Sequence, residues 1–558
     1  MSVPPPDSPQ PGAKPSIVPA PTVPKVADVV AQTLSAYGVR FAFGIPGNDV
    51  LETVRACEER GIEFVLVKAE PSAAFMADAV WQLTGAPAAL VPALGPGLSN
   101  AMSGIAGALM ERTAMIVLSG EMATGNMAVY NHQVFDHVAL CRPVTKYAEA
   151  LNPKRAGQQI AKALDIALAW PAGPVMLNVP ADANRSNATD APQSPPTLEK
   201  SALSEPVVER LRRTIDDAQR PLALVGRGAL HGHAPSAVER FLRAWQMPFL
   251  ATYKAKGIVD EHDPLCAGAV GLSPVIDAFN MKLVEDADLL VLIGFDPIEL
   301  RDAWLDAWPA SKPCIALDWA PTNDRIFPRG NEAYGCLGTM LDQLADRRPA
   351  TGRKASPALA TLRSEVAQAV RPRENARAIS PAALFHAIDR RIAREWILTV
   401  DVGAHRILAN HVLRCRAPGQ LLQSNGLGCM GYGVPAAIGA QLVHPDRPVV
   451  ATLGDGCMLM TLGELAVAAE RNLPLVVVVL NDAKLSLIAL KQDKMKLSAR
   501  GVDFSSPDFA AIARGFGAEG VRVETLAAFE TAFDAALASR RLTVIDAAID
   551  PAEYWDQM

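Results

Sequence analysis

The chain lacks paired cysteines. Its eight cysteines stand singly, without a CxxC or a metal-ligand spacing. That excludes a zinc-ribbon or thioredoxin-type motif and points to a reducing, cytoplasmic setting. Cys429 and Cys457 flank glycine-rich motifs but read first as small packed residues. The chain also lacks the run of about 18 apolar residues that a membrane-crossing helix needs. Its best candidate, 475–480, has the length of a buried strand. A basic excess is missing as well: the net charge is −6 and the pI about 5.9, which gives no reason to expect nucleic acid. Residues 1–24 carry nine prolines but no basic start followed by an apolar core. They read as a disordered extension and not as a secretory signal.

What is present fits a soluble globular enzyme, since half the residues are hydrophobic and a fifth are charged. A length of 558 residues calls for about three domains of roughly 150–200 residues. Strand-like apolar runs alternate with helical stretches in three successive units, 25–190, 203–345 and 378–548. This alternation predicts an α/β protein of three doubly wound parallel sheets. A Ser/Pro/Asn-rich stretch (184–196) and a basic stretch (346–377) read as solvated connections.

The sharpest motif is Gly454-Asp455-Gly456, separated by 24 residues from Asn481-Asp482. An apolar run precedes each, 448–453 and 475–480. Two neighbouring parallel strands ending in Asp and Asn would bring oxygen ligands to the sheet's C-terminal edge, where open α/β sheets bind ligands. Such ligands suit Mg²⁺ completed by phosphate oxygens. The glycines would let a diphosphate approach the backbone, with a helix beginning near Thr461 aimed at it. Read alone, the tripeptide is only a turn.

This arrangement resembles the signature of thiamine diphosphate (ThDP) dependent enzymes. Further landmarks occur in that family's order: Phe43-Gly44-Ile45-Pro46-Gly47, Ala69-Glu70-Pro71, Gly95-Pro96-Gly97, Gly173-Pro174-Val175 and Gly426-Leu427-Gly428-Cys429-Met430-Gly431. The resemblance implies a pyrimidine-binding, a central and a diphosphate-binding domain. It implies that Glu70 bonds the cofactor's pyrimidine ring, and that Met430, with Gly428, supports its bent shape. Gly403, His405, Gly454, Gly456 and Cys457 would line the diphosphate. Asp455, Asn481 and the Ala483 carbonyl would hold Mg²⁺. The family's site lies between subunits, so a homodimer, often a dimer of dimers, is implied.

Within the family the chain looks closest to the catabolic acetolactate synthases. The 131–136 and 142–146 segments resemble their pyrimidine-domain loop, in which Gln133 would lie near the reacting carbon; 293–299 and 485–492 fit as well. The implied reaction is decarboxylation of a 2-oxo acid, pyruvate in that branch, and joining of the remainder to a second carbonyl. The rivals are a decarboxylase, with His132 or His137 available as proton donor, an acyl-CoA-type lyase, and a non-catalytic protein of the same fold. Some relatives bind FAD in the central unit. Here Gly226-Arg227-Gly228 is followed only by Gly232, which is not GxGxxG, and a vestigial site is expected.

Overall fold

The computed structural model describes residues 23–197, 201–321, 327–328, 330–346, 356–374 and 376–557. Residues 1–22 of the proline-rich extension lie outside these, as do residues 347–355 and 375 of the basic connection.

Three six-stranded, wholly parallel sheets carry the chain. The first contains β1 (Phe41–Gly44), β2 (Glu63–Leu66), β3 (Ala88–Leu90), β4 (Met115–Glu121), β5 (Tyr147–Ala150) and β6 (Pro174–Pro180), in the order β2-β1-β3-β4-β6-β5. The second contains β7 (Pro221–Val225), β8 (Phe249–Thr252), β9 (Cys266–Val270), β10 (Leu289–Ile293), β11 (Cys314–Asp318) and β12 (Asn331–Tyr334), in the order β12-β11-β10-β7-β8-β9. The third contains β13 (Ile397–Val400), β14 (Leu421–Gln423), β15 (Val449–Gly454), β16 (Leu475–Asn481), β17 (Glu519–Val523) and β18 (Thr543–Ala548), in the order β14-β13-β15-β16-β18-β17.

Parallel strands need long crossovers, and the intervening helices cover both faces of each sheet, so central strands are apolar throughout rather than alternating. Every residue of β16 is buried, as are the first five of β15. Strand order reverses between β13 and β15, which leaves a crevice at their C-terminal ends.

The first and third units share one hydrophobic core. The helix Glu70–Thr84 lies against the helix Gly433–Val443 so closely that a Cβ on Gly439 would stand 2.6 Å from the Met76 carbonyl oxygen. Beside this contact Tyr432 donates to Asp78 (2.7 Å).

The basic connection is more than a solvated linker. Its residues Pro357–Ala369 form a helix, capped by Ser356 and packed with Leu362 buried against the second sheet's side. Apolar positions at helical spacing in this stretch outweigh its charge. Among the described residues no helix is long and apolar enough to cross a membrane.

Candidate cofactor site

The crevice between β13 and β15 opens into a cavity of about 120 Å³. Gly403, His405, Met430, Gly454, Asp455, Gly456 and Cys457 all line it. A larger cleft of about 640 Å³ lies elsewhere, between β9 and residues 386–414, and contains none of the motif residues.

The helix at this site begins at Asp455 itself and ends at Thr461, earlier than the spacing predicts. Gly454 is its extended N-cap, so β15 turns straight into the helix and delivers the Asp455 carboxyl to the crevice floor. One Asp455 oxygen accepts from the Gly456 amide (2.7 Å), the other from the Asp482 (3.1 Å) and Ala483 (2.6 Å) amides. These donors tie the ends of β15 and β16 together. Burial raises the Asp455 carboxyl above its ordinary pKa despite them.

Asn481 does not face this cavity. Its amide nitrogen donates to Asp546 (2.8 Å) and its oxygen accepts from the Ser506 hydroxyl (2.8 Å), on the opposite face of the sheet. The reason is the two-residue period of a strand: Leu480 and Asp482 line the cavity, so the residue between them points away. Asp482 therefore stands opposite Asp455. Burial pushes it up to about 7, the Asp455 charge adds to the rise, and a hydrogen bond from Ser486 opposes it.

The Ala483 carbonyl is taken as well, by the Phe504 amide (3.2 Å). In the bridge between 484 and 503 the bonded neighbours are Ala483 with Phe504 and Leu485 with Val502. Lys484 is the non-bonded member, so its carbonyl turns away from that segment. The Lys484 ammonium pairs with Asp503.

These residues fit a diphosphate and its metal. Two facing carboxylates with no ammonium or guanidinium of the described residues bonded to either suit a divalent cation. The His405 ring lies across Gly403 and Gly454, and its Nε2 is buried without a hydrogen-bond partner. A buried ring nitrogen left unpaired is costly, and a hydrogen-bonding group entering the cavity would satisfy it. A Cβ on Gly456 would come within 2.9 Å of Leu485 and 3.5 Å of the Met430 methyl, so glycine keeps the gap between these side chains open. Gly428 has φ +69° with open space around it, and the Cys457 thiol packs against the Val402 carbonyl (3.2 Å).

Glu70 and Gln133 lie outside this cavity, whose lining residues all fall between 402 and 554. Glu70 opens the helix Glu70–Thr84 and accepts from Asn100 Nδ2 (3.3 Å). Glu464, from the third unit, accepts the Lys68 (3.1 Å) and Ala69 (2.9 Å) amides just before it. Gln133 sits at φ +61° in an exposed loop. His137 is 1 % exposed and fully hydrogen-bonded, so it is not a proton donor to a substrate; His132 is exposed.

At the second sheet's switch point the crevice is filled. Gly226 and Gly228 donate their amides to Ile293 and Gly294 (both 2.9 Å), and Arg227 is buried across the gap with its amide on Glu299 (3.1 Å). A Cβ on Gly226 would lie 2.5 Å from the Gly294 carbonyl oxygen. The amides of Gly226, Arg227 and Gly228 are thus already bonded within the chain.

The sequence reading missed Asp482, Lys484, Ser486 and Asn100. No sequence signal could have found Asp482: β16 is apolar and buried on both faces, so no alternation along it says which residue faces the cavity.

Comparison with known proteins identifies the family. Residues 24–140 match the N-terminal TPP binding domain of thiamine pyrophosphate enzymes, 208–344 their central domain and 401–547 their C-terminal TPP binding domain. Acetolactate synthase of Bacillus subtilis is 30% identical over 515 residues, covering 89% of this chain and 88% of that protein. The catabolic acetolactate synthase of Raoultella terrigena is 30% identical over 532 residues, 92% of each. A probable 2-ketoarginine decarboxylase of Pseudomonas aeruginosa is also 30% identical, over 506 residues, 88% of this chain and 87% of that protein. The chain belongs to the thiamine pyrophosphate enzymes and is a ThDP-dependent, acetolactate synthase-like enzyme.

Proposed function

We propose that the protein is a ThDP- and Mg²⁺-dependent carboligase that decarboxylates pyruvate and joins the remaining two-carbon unit to a second carbonyl compound. With pyruvate as acceptor the product is 2-acetolactate, as the names of the two synthase relatives suggest. The observation that carries the cofactor reading is the facing Asp455 and Asp482 carboxylates beside the unpaired His405 Nε2. In this reading 25–190 is the pyrimidine-binding domain, 203–345 the central domain and 378–548 the diphosphate-binding domain. Asp455, Asp482 and the Lys484 carbonyl hold the metal, in place of the Asn481 and Ala483 expected from the motif. His405 donates to the diphosphate, while Gly403, Gly454, Gly456 and Cys457 shape its cradle, and Met430 with Gly428 supports the cofactor's middle.

When bound, the cofactor would supply an electron sink for the bonding pair left behind when the substrate's carboxylate departs as CO₂. The chain's own work is positioning and proton control. Glu70 holds a proton against the pyrimidine ring, oriented by Asn100 and by the Glu464 clasp on the preceding backbone. Gln133 orients the reacting carbonyl groups.

Since no first-unit residue reaches the cavity, Glu70 and Gln133 are supplied to it by a second copy. The exposed apolar side chains flanking both halves support a homodimer: Met127, Val129 and Tyr130 near Gln133, and Leu459, Met460 and Ile488 near Asp455. All eight cysteines are free, which fits a cytoplasmic setting.

A decarboxylase that releases an aldehyde needs a proton donor at the substrate. Burial of His137 removes one of its two candidates, and the carboligase reading is favoured. Incubation with ThDP, Mg²⁺ and pyruvate, followed by product identification, tests it. Acetolactate is expected; acetaldehyde alone would establish the decarboxylase, and no consumption of pyruvate would reject this substrate.

A further inference from the structure

The pyrimidine-domain half of the site rests on a buried polar cluster that none of the motifs accounts for. At its centre is His137, whose ring is 1 % exposed. Its Nε2 accepts the amide of Gly95 at 3.2 Å. A ring nitrogen that accepts carries no proton, so the imidazole proton sits on Nδ1. That edge faces Asn178 Oδ1 (3.0 Å) and Glu121 Oε2 (3.3 Å). Asn178 in turn donates to the same Glu121 oxygen (2.8 Å), which fixes the amide orientation and leaves its oxygen to receive the imidazole proton. Tautomer, acceptor and orientation are all determined by buried partners.

Two consequences meet at Gly95. It stands at φ +68° as the N-cap of the helix Pro96–Met110, and that helix carries Asn100, the hydrogen-bond partner of Glu70. The Gly95 backbone also packs directly against Gln133: an added Cβ would lie 2.8 Å from Gln133 Cβ and 2.9 Å from its carbonyl oxygen. Gln133 itself holds a left-handed backbone, φ +61°, which a side-chain-bearing residue adopts only under outside constraint. The neighbouring Leu94 amide is bound by Asp49 in the same manner (2.9 Å).

We propose that His137 is a positioning residue: by accepting the Gly95 amide it clamps the Gly95 turn to the Gln133 segment, setting Gln133 over the reacting groups and fixing the start of the helix that bears Asn100. The activity arm of its test rests on the carboligase reading above; the other arm does not.

Three variants separate a clamp from a mere core residue. His137→Gln places an oxygen near the Nε2 position and keeps an acceptor for Gly95. His137→Asn reaches only the Nδ1 position, and His137→Leu offers no acceptor. In the full-length protein, amide hydrogen exchange of the peptide spanning 92–99 should quicken in the Asn and Leu variants and stay near wild type in Gln. With pyruvate, kcat should fall roughly 30–100-fold in Leu and Asn, as expected for a reacting group displaced by about 1 Å. In Gln it should fall only a few-fold, with ThDP affinity little changed in all three. Equal exchange at 92–99 across the variants would overturn the proposal, and so would activity losses that simply follow the loss of thermal stability. A wild-type enzyme inactive on pyruvate would reject the substrate assignment alone, because the exchange measurement would still decide the role of His137.

Discussion

The junction of the three units turns on one carboxylate, and removing its counter-ion should be costly in a calculable way. Glu111, from the first unit, meets Lys254, from the second, at 2.5 Å, with side chains only 4% and 1% exposed. The other Glu111 oxygen accepts from the Ser424 hydroxyl (3.0 Å) and the Gly426 amide (2.8 Å), at the root of the loop that leads to Met430. Burial raises the Glu111 pKa, but the Lys254 and Arg227 charges outweigh it and keep the carboxyl below its ordinary value. Lys254→Met leaves the buried carboxylate without its bonded counter-ion, at a cost of about 3–5 kcal/mol. Glu111→Gln keeps an oxygen for Ser424 and Gly426 but strands the ammonium, at a similar cost of about 3–5 kcal/mol. The double variant removes both charges and retains that oxygen, so its loss should shrink to about 1–3 kcal/mol. At roughly 2–4 °C per kcal/mol for a domain of this size, each single change should lower the transition by roughly 6–20 °C. Differential scanning calorimetry of the four proteins closes the cycle. Single shifts below about 2 °C, or a double variant that loses the sum of the singles, would refute the view that this pair is a desolvated charge lock.

Further outcomes follow from the geometry. Asp482→Ala, which removes the oxygen ligand, should weaken Mg²⁺-supported ThDP binding by about tenfold or more. Asn481→Ala should instead mainly lower stability, because its partners Asp546 and Ser506 belong to the sheet; calorimetric titration showing the reverse pattern would restore Asn481 as the ligand. Glu299 is pushed up to about 7 from an ordinary 4.5, first by burial and then by the Asp296 charge. The folded protein thus holds this proton more tightly than the unfolded chain. Its contribution is complete below about pH 4.5 and lost as pH rises through 7, by at most about 3 kcal/mol. Glu299→Gln should flatten the fall of melting temperature between pH 5 and 8, and an unchanged slope would count against it. Glu70→Gln should leave ThDP and Mg²⁺ binding intact while slowing isotope exchange at the cofactor's C2 by orders of magnitude; exchange at the wild-type rate would remove Glu70 from the chemistry.

Much of this protein was legible in its residues. The apolar runs at 222–225, 289–293, 449–453 and 475–480 are central parallel strands, buried on both faces, and such strands announce themselves by unbroken hydrophobicity. The outlying strands β5, β12 and β17 are short and partly exposed, so their sequences carry no comparable pattern. A strand such as β9, with Cys266-Ala267-Gly268-Ala269-Val270, is recognisable only through the neighbour it pairs with. The helix Pro357–Ala369 escaped notice because only Leu362 is fully buried and most of its other apolar positions are alanines, which give no clear apolar stripe.

At the site, sequence alone determined the chemistry on offer: an aspartate between glycines, a second oxygen-bearing pair 24 residues on, a histidine after Gly403 and a glutamate at a helix start. Composition and spacing are properties of the chain and survive without coordinates. Which member of Asn481-Asp482 meets Asp455 was decided only by the strand's facing, since a one-residue step on a β-strand moves a side chain to the other side of the sheet. The sealing of the second crevice and the seating of His137 beneath Gly95 were likewise tertiary decisions. Each depends on atoms far apart in the chain coming within 3.5 Å, and no local pattern encodes such a meeting.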